Sequence, residues 1–247
     1  MKKLAIVTGA SSGIGLAIAD KLAEFGFLVV NWDLKPPKES SPHQHFECDV
    51  SQESLVQKAY SLTKEKFGTP FLLVNNSGLQ FLSPVEEFPI EKWNLITGVL
   101  LTGTFLCSKI VIKDMKAANQ GRIINISSIH GKLASPFKAA YVASKHGVLG
   151  FAKVLAIELA PNNITVNSIC PGFVDTPLMR GQVKEQMDLN NFSEEQVLNE
   201  VFLKQQYLKK LTKPENVADL VLFLASDAAS TITGEALNIS GGWGMGL

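Results

Sequence analysis

Short apolar runs rich in β-branched residues alternate along the chain with longer, helix-like stretches. The runs start at Leu4 (LAIVTG), Phe27 (FLVVNW), His45 (HFECDV), Phe71 (FLLVNN), Arg122 (RIINIS), Ile164 (ITVNSI) and Glu235 (EALNIS). They predict strands that are apolar on both faces, as strands must be when helices cover both sides of their sheet. The stretches between them predict helices over 13–25, 52–67, 90–118, 139–159 and 214–225. Strict alternation of strand and helix implies βαβ units and a parallel sheet, an α/β fold. Two segments break the rhythm. Residues 34–44 (LKPPKESSPHQ) hold three prolines and predict a loop where the alternation calls for a helix. Residues 174–213 form a connection longer and more polar than any other. Long insertions at the carboxyl edge of a parallel sheet serve as lids over a site, and a lid is expected here.

Composition narrows the class of partner. A chain of 247 residues with 46% hydrophobic content can bury one sizeable core. Its formal net charge of zero gives no pull toward nucleic acid or an anionic membrane surface. After two lysines, an apolar run of four precedes Thr8, too short for a signal-peptide core, and no stretch reads as a membrane span. Cys48, Cys107 and Cys170 lie far apart without a CxxC spacing. They read as buried thiols of a reducing cytoplasm, with no disulfide and no metal site.

The first chemistry lies in TGASSGIG, Thr8 to Gly15, between the first strand and the first helix. In that context Gly9 permits a tight turn, Gly13 lets the backbone approach a ligand, and Gly15 lets the helix pack on the sheet. Ser11, Ser12 and Ile14 complete the turn. The helix N-terminus then offers free N–H groups to a pyrophosphate, so a dinucleotide is the expected ligand. Asp33 closes the second strand, eighteen residues after Gly15. A carboxylate there accepts ribose hydroxyls and repels a 2′-phosphate, and its neighbours Ser12 and Leu34 are uncharged, which favours NAD over NADP. Asp49, followed by Val50 at the end of the third strand, is placed to meet the adenine edge.

The second lies in residues 127–147, SSIHGKLASPFKAAYVASKHG. Tyr141 and Lys145 are four apart, one helical turn on one face. A free Tyr, with a pKa near ~10, is a poor acid or base at neutral pH. A neighbouring ammonium favours the phenolate and makes proton exchange with a substrate oxygen feasible. Ser128, thirteen residues before Tyr141 and at a strand end, can reach the same oxygen.

Together TGASSGIG, NNSG at Asn75, Ser128 with Tyr141-Val-Ala-Ser-Lys145, and PGFVDTP at Pro171 resemble the short-chain dehydrogenase/reductase family over essentially the whole chain. The resemblance implies a single Rossmann-type domain, residues 1–247, with a doubly wound sheet of seven parallel strands, and a homotetramer. It implies Tyr141 as general acid/base, Ser128 steadying the reacting oxygen, and Lys145 holding the nicotinamide ribose while lowering the Tyr pKa. It puts Asn76 and Gly78 along the cofactor, and Pro171, Gly172, Val174 and Thr176 near the nicotinamide. NNSGLQ, SSIHG, EEFPIEKW, PGFVDTPLMRGQ, the GGW ending and Lys138 three before Tyr141 are similar to the branch of the family that oxidises (R)-3-hydroxybutyrate to acetoacetate. In that branch the positions of Gln80, His130, Lys138 and Gln182 hold a small carboxylate. The chain departs from the family at Leu100, where VLLTG stands in place of a pattern carrying Asn, and at Ser77, where Ala is usual. That Asn helps hold a water linking the Lys to solvent, and Leu cannot hydrogen-bond it. Three readings therefore stand: the 3-hydroxybutyrate reaction, the same chemistry on another small hydroxy acid or alcohol, and an NAD-binding chain with impaired turnover.

Overall fold

The computed structural model describes residues 2–37, 41–190 and 192–246. Seven strands, β1 (Leu4–Thr8), β2 (Leu28–Asp33), β3 (Gln44–Glu47), β4 (Leu72–Asn75), β5 (Gly121–Ile126), β6 (Ile164–Pro171) and β7 (Ala236–Ile239), form one sheet. Their order is β3-β2-β1-β4-β5-β6-β7 and every pairing is parallel. The chain winds outward from β1 in one direction and then from β4 in the other. The crevice beyond the carboxyl ends of β1 and β4 is therefore the switch point at which such sheets bind ligands.

Among the described residues eight α-helices accompany the strands: α1 (Gly13–Glu24), α2 (Glu53–Phe67), α3 (Ile90–Thr97), α4 (Gly103–Ala117), α5 (Ala139–Leu159), α6 (Pro177–Asn190), the short α7 (Glu194–Gln196) and α8 (Pro214–Ala225). Because side chains alternate along a strand, neighbours on one strand serve opposite cores. Ile6, Leu73 and Ile123 face a core with Trp32, Leu106 and Met115. Val7, Val74 and Ile124 face another with Ile18, Leu22 and Val221. This two-sided burial is why the strands read as continuous apolar runs.

The sequence expectations meet the fold with informative differences. β3 ends at Glu47, short of the apolar run, because Asp49 turns the chain into α2. Its Oδ1 accepts the Ser51 N–H at 3.0 Å and the Ser51 hydroxyl at 2.7 Å, and its Oδ2 accepts the Gln52 amide at 3.1 Å. Between β2 and β3 no helix forms among the described residues; 38–40 of the proline-bearing segment lie outside them. The helix expected over 90–118 is continuous but carries a π turn, Gly98–Thr102, between α3 and α4. This segment corrects the reading that nothing resembles a membrane span: it is long and apolar enough, its most apolar 18-residue window having a mean hydropathy of 1.9. Here it serves as a core helix, sealing Leu106, Cys107, Val111 and Met115 against the sheet.

The long connection 174–213 holds α6 and α7 and a small core of its own, Met179, Val183, Val197 and Phe202; residue 191 lies outside the described ones. Its two ends are joined by Asp175 N–H to Thr212 O (2.9 Å) and Thr212 N–H to Phe173 O (3.0 Å). Arg180 then grips Asp175 through two bonds of 2.6 and 2.7 Å and reaches Glu194 at 2.5 Å.

Candidate active site

The glycine turn has the backbone its sequence requires. Gly9 and Gly13 have φ of 67° and 55°, the left-handed region. A Cβ on Gly15 would lie 2.2 Å from the Gly9 carbonyl oxygen, so only glycine lets α1 close on the turn. The Ser12 side chain makes no capping bond at the start of α1, and the first amide to turn back is Leu16 N–H, to Ser12 O at 3.2 Å. Gly9, Ala10 and Ser11 spend their amides on Trp32 O, Asn31 Oδ1 and Asp33 Oδ2, which leaves those of Ser12 to Gly15, without a partner among the described residues, for an anion. The turn is tied from beneath. Thr8 Oγ1 accepts the N–H groups of Asn76 (2.9 Å) and Ser77 (3.0 Å), while the Asn76 amide donates to the carbonyls of Thr8 (3.0 Å) and Gly9 (3.1 Å).

Beyond the turn runs a cleft of about 630 Å³. It brings together Gly9, Ser12, Gly13, Ile14, Asp33, Asp49, Val50, Asn76, Gly78 and Thr176, along with Tyr141 and Lys145. Pro171, Gly172 and Val174 line a smaller cavity at one end instead. Ser11 and Gly15 line neither cavity. The Ser11 hydroxyl donates to Lys35 O (2.5 Å) and its N–H to Asp33 Oδ2 (3.0 Å), so it braces the carboxylate. Burial works to raise the Asp49 pKa, but the bonds from Ser51 and Gln52 outweigh it and hold the carboxyl below its ordinary value. A cradle of amides and glycines with a carboxylate at its far end fits a dinucleotide, held by the α1 N-terminus and Asp33.

Tyr141 and Lys145 stand one turn apart on α5, with Lys145 Nζ 5.6 Å from the Tyr141 ring centre. Nζ donates to Ile126 O at 2.7 Å, and burial brings its pKa down to about 8. Burial pushes the Tyr141 phenol up, the Ser128 hydroxyl beside it pulls it down, and the buried Cys170 adds to the upward push. The balance holds the phenol above its ordinary value, with the Ser128 hydroxyl as the downward pull. Tyr141 also packs on an apolar wall, since Leu100 is 1% exposed and clusters with Ile96, Ala140, Leu79, Phe81, Phe88 and Tyr141.

The smaller cavity, about 130 Å³, brings Gln80, His130, Lys138 and Gln182 to the hydroxyls of Ser128 and Tyr141. These residues come from four places: after β4, after β5, before α5, and on α6. The Gln80 Nε2 is buried and has no partner among the described residues, a donor still to be used. Burial lowers the Lys138 pKa, and its Nζ lies 5.8 Å from the centre of the Phe173 ring. His130 is held at both nitrogens, Nε2 2.7 Å from Ser135 Oγ and Nδ1 3.4 Å from Ser128 Oγ. Burial, then Lys138 and His146, lower its pKa to about 4, so the ring is neutral near pH 7.

Sequence reasoning missed Thr8, Phe173, Ser135 and Trp243. Trp243 lines the small cavity, stacks on Phe173 at 5.6 Å and meets the His130 ring edge-on at 5.2 Å. Its signal is the GGW ending. Ser135 carried none, being one serine in a loop.

Known proteins place this architecture. A family profile described as enoyl-(acyl carrier protein) reductase matches residues 9–244. A D-beta-hydroxybutyrate dehydrogenase of Rhizobium meliloti is 44% identical, covering 98% of this chain and 99% of its own. A protein of the same name from Cupriavidus necator is 38% identical, over 98% and 97%. Among solved structures, the ligand-free aldohexose dehydrogenase of Thermoplasma acidophilum superposes with a TM-score of 0.92 at 34% identity, covering 98% of this chain and 94% of that one.

Proposed function

We infer the reaction from one premise: the chain belongs to the short-chain dehydrogenase/reductase family. It is an oxidoreductase of a family that works with a nicotinamide cofactor. The proposed reaction is the reversible, NAD-dependent oxidation of (R)-3-hydroxybutyrate to acetoacetate. The observation that carries it is the small cavity, which joins a cation and an unpartnered buried amide, Lys138 and Gln80, to the hydroxyls of Ser128 and Tyr141.

When bound, the cofactor accepts or returns the hydride. Tyr141, as the phenolate, takes the proton of the substrate hydroxyl and becomes the phenol, and Ser128 holds that oxygen in place. Lys138 supplies the charge that a carboxylate needs, with Gln80 and Gln182 as amide donors. His130 was expected in the same clamp; with both nitrogens engaged, we assign it to Ser128 instead. A cavity of about 130 Å³ suits a small acid rather than a long or bulky one. The segment 174–213, through Thr176, Leu178, Met179 and Gln182, is proposed to cover the substrate and exclude water. Asp33 supports NAD over NADP, since a 2′-phosphate would face its carboxylate.

Two further proposals concern the setting. Phe105 on α4 with Val154 and Ile157 on α5 leaves an exposed apolar face, Ile157 being 78% exposed, which supports self-association through a second copy of this chain. The three free, buried cysteines support a cytoplasmic setting.

The test is a panel of initial rates with purified protein: (R)- and (S)-3-hydroxybutyrate, an aldohexose, and NAD or NADP. Turnover confined to the (R)-acid with NAD is expected. Turnover of the aldohexose but not the acid would replace the substrate. Tight NAD binding without turnover of any of these would favour the impaired reading, which rests on the apolar wall of Leu100 against Tyr141.

A further inference from the structure

Ser128 can help the reaction only if its hydroxyl proton is aimed at the substrate oxygen. The Tyr141 phenol lies beside it on the cavity side, and the Ser128 hydroxyl bonded to it lowers the phenol's pKa; three more contacts, on the His130 side, bear on that direction. The Ser128 oxygen accepts the backbone N–H of His130 at 3.1 Å. It also lies 3.4 Å from His130 Nδ1, and His130 Nε2 lies 2.7 Å from the Ser135 hydroxyl. A neutral imidazole has one donor and one acceptor nitrogen, so the two serines must see opposite roles.

We propose that Ser135 and His130 are positioning residues that make Ser128 a donor to the reacting oxygen. In this arrangement the Ser135 O–H donates to Nε2, and Nδ1–H donates to Ser128 Oγ. Ser128 then accepts from both the ring and the backbone N–H of His130, and its own proton points to the cavity side, toward Tyr141 and the place of the substrate oxygen. The chain of donors runs from the half-buried Ser135 loop to the cavity in one direction. Burial suits it: His130 is 4% exposed and stays neutral down to about pH 4, so across the working range one ring nitrogen donates and the other accepts. The groups facing it fit as well. Tyr141 and Trp243 meet the ring edge-on, at 6.2 and 5.2 Å, and compete for neither nitrogen. Lys138 and His146 act on it only through charge, which disfavours a second proton. The inference rests on the reading of Ser128 as the residue that steadies the reacting oxygen, and it gives His130 a role in the chemical step where a clamp role would place it in binding.

The experiment has two arms. The first is ¹⁵N NMR of the His130 ring in the purified protein without cofactor or substrate. The Nδ1–H tautomer is expected in the wild type, with loss of that bias in Ser135→Ala and its return in Ser135→Thr. A wild-type ring in the Nε2–H form overturns the proposal, because Ser128 would then be the donor to His130. The second arm is initial-rate kinetics with (R)-3-hydroxybutyrate and NAD. Ser135→Ala is expected to lower kcat roughly five- to tenfold with KM for the acid unchanged, and Ser135→Thr to restore it. A rise in KM with kcat unchanged, or a loss that Thr does not restore, also overturns it. A wild type that turns over none of the acid contradicts the proposed reaction, and the NMR arm then decides the inference alone.

Discussion

The two cavities that meet at Tyr141 are built in opposite ways. The larger, about 630 Å³, is made chiefly by backbone: a turn of glycines, the start of α1, and strand ends held by Thr8 and Asn76. The smaller, about 130 Å³, is made by side chains brought from four separate elements and closed by Phe173 and Trp243. A backbone cradle accepts any ligand with a pyrophosphate, whereas a side-chain pocket selects by charge and shape. One fold can therefore keep its cofactor while its substrate changes. The comparison also locates fragility. The cleft should fail through steric clash at glycine, the pocket through loss of a single charge.

The largest effect is expected where the two cavities join. Tyr141→Phe should lower turnover about a thousandfold or more while NAD binding, followed by calorimetry, survives; retained turnover would remove Tyr141 from its role. Gly15→Ala attacks the cleft alone. Its methyl would meet the Gly9 carbonyl carbon at 2.8 Å as well as the oxygen at 2.2 Å. We expect a loss of about 3 kcal/mol in denaturant unfolding together with weakened NAD binding, and an unchanged protein would mean the turn is looser than described. Lys145 gives a pH signature. Its pKa is about 8 in the fold against 10.5 ordinarily, so the unfolded chain binds the proton more tightly between those values. The penalty is complete below about pH 8 and is relieved as pH rises toward 10.5, a gain of about 3 kcal/mol. Unfolding followed across that window should show the rise in the wild type and not in Lys145→Met. Lys138→Ala attacks the pocket alone: KM for the acid should rise by about tenfold or more while NAD affinity holds, and an unchanged KM would dissolve the clamp. The smallest effect lies outside both cavities. Ile157→Lys should shift the protein to smaller assemblies in light scattering with little change in monomer stability, and an unaltered mass would show that the α4 and α5 face does not join copies.

The same contrast explains what could be read in the sequence. The strand and helix alternation, the glycine turn and the Tyr141–Lys145 spacing are local patterns, and the sheet order and cleft follow from them. The cavity is nonlocal. Gln80, His130, Lys138 and Gln182 stand far apart in the chain, and only resemblance grouped them before the structure brought them together. Thr8 and Ser135 act through partners distant in sequence or hidden by loop geometry, and no spacing announces them. The π turn at Gly98–Thr102 also escaped, because the apolar pattern runs through it without a break. The tuning of Tyr141 reads from a neighbour four residues away, whereas burial and the Ser128 hydroxyl also act on it, and both are properties of the folded state.

The most direct test of the account asks whether charge selects the substrate. Initial rates would be measured for (R)-3-hydroxybutyrate and for its methyl ester, with wild type and Lys138→Ala. The account predicts a strong preference of the wild type for the acid in kcat/KM, and its collapse in the variant with NAD binding intact. Equal use of acid and ester by the wild type would contradict it.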